Sequence, residues 1–183
     1  MSNDTVPATR AAGGLATGTW RLDPARSSVE FHVPHFYGLI TVKGRFDRYR
    51  GSLDLSARPA VELVIDAESL DTKRKQRDKH LRSDDFFDVV NHPQVRFEAD
   101  AATLDGNTLK ARGRLHAAGK DIPLHVDATV TPADDEFEIE ATALADHREL
   151  GMTWSPLGTL RAPSKLIVRG RLIRTENVRP TGA

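Results

Sequence analysis

The chain has 183 residues, which suits one domain with a real core, and its 26 basic residues balance 26 acidic ones. The two signs are interspersed rather than blocked, so composition points to neither a nucleic-acid partner nor an anionic membrane. With no cysteine, disulfides, thiolate metal sites and a cysteine nucleophile are excluded, and no run of about eighteen apolar residues suggests a transmembrane segment.

Residues 1–18 are small and polar and lack a basic stretch followed by an apolar one, so they read as a flexible tail ahead of a domain at 19–174. A second tail is expected at 175–183, and a cytoplasmic location throughout. From Thr19 onward the dominant signal is period two, which sends alternate side chains to opposite faces of a strand. Val29, Phe31 and Val33 alternate with Glu30 and His32. Ile40, Val42, Gly44 and Phe46 share one face, but Tyr49, Gly51, Leu53 and Leu55 have the opposite parity, which predicts a bulge or bend near Asp47 and Arg48. Val61, Leu63 and Ile65 supply another strand.

From Thr72 to Val90 the alternation stops and charge is dense. Ser83 directly before Asp84 and Asp85 reads as an N-cap with acids in the first turn, so a helix, a break and a short second helix are expected. Val95, Phe97 and Ala99 resume the alternation. Leu109 to Ala117 and Ile122 to Val130 alternate on either side of Ala118-Gly119-Lys120 as a hairpin, and Phe137, Ile139, Ala141 and Ala143 continue the meander. The last strand, Leu166, Val168, Gly170 and Leu172, is also apolar at Ile167 and Ile173, which calls for extra cover or an interface on its outer side.

An antiparallel meander with one helical excursion describes an all-β barrel or sandwich. The inward set includes Ala99, Ala111, Gly113, Ala117, Ala128, Ala141, Ala143 and Gly170. Such small residues leave volume that bulky neighbours or a ligand must fill. Eight strands lie near the size at which a barrel either fills itself or holds one small ligand, and periodicity leaves both open.

The segment Thr72 through Arg77-Asp78-Lys-His80-Leu81, then Asp85-Phe86-Phe87-Asp88 and Pro93 before Val95-Arg-Phe97, resembles the signature of the YceI family. Trp20-Arg-Leu-Asp23, Val29-Glu-Phe31, Gly44-Arg-Phe46 and Gly113-Arg-Leu115 resemble the same family, and the likeness runs over roughly 19–174. Two places depart from its pattern: Pro34 interrupts a strand before His35, and Trp154 to Pro163 is rich in proline. The resemblance implies an extended eight-stranded antiparallel lipocalin-like barrel with one short helical excursion. Its apolar lumen would bind an amphiphilic lipid, a polyisoprenoid or isoprenoid quinone-like molecule, without chemistry, and a homodimer is possible.

Phe31, Val33, Val42, Phe46, Phe97, Leu115, Leu124, Val126 and Ile139 are the expected lumen lining, and His35, Phe36 and Tyr37 beside Gly38 the expected mouth. For Arg77, Asp78, His80 and Arg82 the favoured role is pinning the helix to the barrel, with head-group binding the alternative. Seven histidines invite a metal, but the densest set, His80, Asp84, Asp85, Asp88 and His92, fits no known ligand spacing, so neither metal nor cofactor is expected. Two rivals stand beside a lipid carrier that is not an enzyme. One is a barrel hydrolase or isomerase in which His80, His35 or His147 meets a carboxylate, and the other is a structural domain with a self-filled barrel.

Overall fold

The period-two segments become strands in the computed structural model, which describes residues 17–36, 39–56, 58–153 and 163–175. The strands are β1 (Gly18–Leu22), β2 (Ser28–His35), β3 (Ile40–Phe46), β4 (Tyr49–Leu55), β5 (Ala60–Asp66), β6 (Leu70–Asp71), β7 (Gln94–Asp105), β8 (Thr108–Ala117), β9 (Lys120–Ala133), β10 (Glu136–Ala145) and β11 (Ser164–Arg174). Among the described residues one α-helix, α1 (Lys75–Arg82), interrupts them. The antiparallel ring β1-β4-β5-β7-β8-β9-β10-β11 returns to β1 through Trp20↔Arg174 and Leu22↔Leu172, closing an eight-stranded barrel.

The remaining three strands extend the wall at one end. β11 pairs with β1 at its C-terminal end and with β2 through Lys165 to Arg169, so β1 and β2 are two halves of one bent path. The bend is fixed by chemistry at Ser27. Its hydroxyl accepts from Arg171 N at 3.2 Å, and its carbonyl accepts from the Tyr49 hydroxyl at 2.6 Å. Gly170 lies opposite, where a Cβ would stand 1.9 Å from the Ser27 hydroxyl. β3 and β4 pair with β2 and β1 in the same way, and the break between them falls at Asp47 and Arg48, where the parity flips. A bulge between Ala99 and Ala101 in β7 is an addition that the alternation did not reveal.

The excursion differs from its expectation. Ser83 is the C-cap of α1, not an N-cap: its hydroxyl donates to His80 O at 2.7 Å, and residues 84–87 form turns rather than a second helix. A serine hydroxyl can donate as well as accept, and here it joins its own backbone N–H on the His80 carbonyl of the last helical turn. Of the two outward apolar residues on β11, Ile167 is 2% exposed and so covered within the chain, whereas Ile173 is only half-buried. Residues 1–16, 176–183, Tyr37 and 154–162 lie outside the described residues, and with them most of the two expected tails and of the proline-rich segment.

The interior divides in two. At the end where β4 meets β5 and β9 meets β10, Trp20 stacks on Phe137 with ring centroids 4.3 Å apart, above fully buried Leu53, Leu55 and Val130. This dense plug closes the barrel. The opposite end carries α1, the β2–β3 hairpin and the segment after β10, and the interior there is not filled.

Candidate ligand-binding site

A cavity of about 440 Å³ runs from Leu22, Leu53, Leu109 and Leu172 above the plug to Arg77, His80 and Leu81 of α1. Its course can be read from inward side chains that keep access to space. Val33, Val42, Val61, Leu63, Val126, Ile139, Leu166 and Val168 point inward yet are only half-buried. Against them stand the buried aromatics Phe31, Phe46 and Phe97 with Leu115 and Leu124. Gly44 makes room for the Phe31 ring, since a Cβ there would lie 2.2 Å from it, and Phe31 then packs on Phe46 at 5.4 Å. Phe87 meets Phe46 edge-on at 5.9 Å.

The structure therefore brings eleven of the expected residues to one cavity wall: Phe31, Val33, His35, Phe36, Val42, Phe46, Phe97, Leu115, Leu124, Val126 and Ile139. Tyr37 lies outside the described residues. Other lining residues carried no periodic signal. Phe86 and Phe87 sit between aspartates in a turn, and Leu150 and Met152 are buried beyond the end of β10. Only the motif that contains Phe86 and Phe87 marks that pair in the sequence.

The lining arginine and histidines gather at the helix end, while Glu30, Ser52, Glu62 and Thr142 border the cavity from the strands. Spacing of three and four residues places Arg77, His80 and Leu81 on one face of α1, toward the cavity. Thr72 and Asp78 anchor the helix: the Asp78 carboxylate, itself buried, accepts from Thr72 N at 2.9 Å and from its hydroxyl at 2.5 Å. Arg77 donates to the Thr72 hydroxyl and carbonyl at 2.7 and 2.8 Å, and Arg82 donates to Glu68 O and Leu70 O. These bonds tie the helix to the strand ends, which is the structural role favoured for the motif. Arg77 does both jobs, since it also lines the cavity.

His35, half-buried on the same wall, is shifted toward its neutral form, first by burial and then by the nearby Arg77 guanidinium. His80 lies 3.0 Å from Asp85 through Nε2, and His147 is buried on the lining. Among the described residues no three His, Asp or Glu side chains converge on a point that would hold a metal. The cavity is a long, mainly apolar tube with Arg77, His35, His80 and His147 at its open end.

Several known proteins share this architecture. Burkholderia cenocepacia BcnA superimposes with a TM-score of 0.75 at 18% identity, over 84% of this chain and 99% of that one. A Campylobacter jejuni YceI protein gives 0.65 at 25% identity, over 75% and 88%. A polyisoprenoid binding domain from Saccharophagus degradans, implicated in plant cell wall breakdown, gives 0.65 at 14% identity, over 87% and 99%. In sequence, a UPF0312 protein of Pectobacterium carotovorum is 28% identical over 142 residues, covering 74% of this chain and 73% of the relative. One from Vibrio parahaemolyticus is 32% identical over 117 residues, 61% of each. The model of the YceI-like domain matches residues 20–169, nearly the whole barrel, and the chain belongs to that family.

Proposed function

We propose that the barrel binds and carries an amphiphilic lipid, a polyisoprenoid or isoprenoid quinone-like molecule, with its tail in the lumen and its head at the helix end, and does no chemistry on it. The observation that carries this is the unfilled apolar cavity of about 440 Å³, closed at one end by the Trp20 plug. A close-packed interior leaves only a few small voids, and an apolar space of this size lies far outside that range. A self-filled barrel would not leave it.

Water is a poor occupant, because it needs two or more polar partners and the wall is hydrocarbon over most of its length. From Ser164 to Leu172 the lining strand β11 advances about 26 Å, or about 20 Å along a barrel axis tilted about 40° to it. An elongated tail fits that depth. Each buried methylene contributes about 0.8 kcal/mol, so one five-carbon prenyl unit contributes about 4 kcal/mol and a few units support micromolar binding after the costs of association. The Saccharophagus neighbour, whose description names a polyisoprenoid, supports the same class of ligand.

Organic extraction of the purified protein followed by mass spectrometry tests the reading. An isoprenoid-type amphiphile should be recovered, and after delipidation polyprenols or long-chain quinones should raise the melting temperature, by about 2.7 kcal/mol of stability at a hundredfold excess over Kd. Recovery of no amphiphile together with no thermal shift rejects it.

A further inference from the structure

The large hydrophobic side chains exposed among the described residues, Phe36, Leu39, Ile40, Val90 and Leu144, all lie at the open end of the barrel. Leu39 is 87% exposed and Ile40 53%, beside the hairpin residue Phe36 that also lines the cavity. Next to this apolar tip stands α1, whose two faces differ. Arg77, His80 and Leu81 face the cavity, while Lys75 and Lys79, four residues apart, face away from it, and among the described residues neither they nor Arg74 at the helix start makes an ion pair. Of the acids that follow, all past the helix C-terminus, Asp84 is exposed, Asp85 is bonded to His80 and Asp88 to Asn91. A further pair of exposed lysines, Lys43 and Lys165, flanks His32 on one rung of the outer wall near the same end. The balanced charge of the whole chain conceals this local arrangement.

We propose that the open end docks on the surface of an anionic lipid bilayer, with Phe36, Leu39 and Ile40 entering the interface and Lys75, Lys79 and Arg74 meeting lipid phosphates. Apolar side chains beside unpaired cations match the layered chemistry of such a surface, apolar below and negative above. Docking in this pose sets the cavity mouth against the phase in which amphiphiles dissolve, but it does not depend on a cargo being bound.

Flotation with vesicles tests it. The protein should float with vesicles of phosphatidylcholine and phosphatidylglycerol mixed, and stay behind with phosphatidylcholine alone. Each lysine near the surface contributes about fivefold, so Lys75→Ala with Lys79→Ala should weaken binding about thirtyfold, and Leu39→Glu with Ile40→Glu should abolish it. Both double variants change exposed side chains, and unchanged melting temperatures would show that the fold is intact. Absence of flotation on mixed vesicles, equal flotation on both kinds, or flotation that survives either double variant overturns the proposal. So does a doubled mass in sedimentation that Leu39→Glu with Ile40→Glu returns to that of one chain, which would assign the tip to a second copy. Recovery of a lipid on extraction without vesicle binding rejects docking alone, and vesicle binding without an extractable lipid rejects the cargo alone.

Discussion

Filling the lumen from within separates an open ligand tube from an ordinary core. Ala143 on β10 faces the cavity between Val126 on β9 and Leu166 on β11, both of which keep access to the open space. In a densely packed interior, Ala143→Phe would force its neighbours off their rotamers and cost about 1–3 kcal/mol. Here the ring enters unfilled volume. Burying it contributes about 2 kcal/mol and fixing its rotamer takes back about 0.5, so the delipidated variant should gain about 1.5 kcal/mol. For a chain of 183 residues that is a rise of about 3–6 °C in melting temperature. The same ring takes the place of about one prenyl unit, whose loss of about 4 kcal/mol weakens binding about a thousandfold. Scanning calorimetry on delipidated protein reads the first effect, and titration with a fluorescent polyprenol analogue reads the second. A variant that melts lower than the wild type and still binds with unchanged affinity would refute the open lumen.

Two further predictions follow from the helix end. Asp78→Ala leaves the buried Thr72 amide and hydroxyl without their acceptor, so stability should fall by about 3 kcal/mol and the melting temperature by about 6–12 °C, with Asp78→Asn milder; equal melting of all three proteins would show that the motif does not anchor the helix. His35 has a folded pKa below its ordinary value of 6.5, so the unfolded chain binds the proton more readily. Its contribution is complete above about pH 6.5 and is lost as pH falls through the lower folded value. Urea midpoints at about pH 7.5 and about pH 5 should therefore differ less in His35→Gln than in the wild type, and superposable pH dependences would disprove the role.

The barrel was legible wherever inward apolar and outward polar residues differ sharply, as along Leu109 to Ala117, and the kink at Asp47 and Arg48 was legible because the parity of the large residues flips there. The bulge in β7 was not. Ala99, Ala101 and Ala102 are all small and apolar, so only Leu104, inward on the opposite parity to Phe97, marks the inserted residue. Ser83 was misread because Ser-Asp-Asp has the right chemistry for a helix start, while the direction of its hydrogen bond is a tertiary fact. The cavity wall was readable on the strands and unreadable at its rim: Leu150 and Met152 lie in a stretch without period, where burial is decided by how the chain folds back over the opening.

The division of the interior into a dense plug and an open half has a kinetic consequence. Strands such as β9 pass through both, with Val130 in the plug and Ile122 and Leu124 in the open half, and β9 pairs with β8 from Lys120 to Thr129 but with β10 only from Val126 to Ala133. Opening at the rim can then occur as a local fluctuation that stops at the Trp20 and Phe137 stack. Exchange of the bound amphiphile proposed above would then follow the frequency of rim opening rather than that of global unfolding.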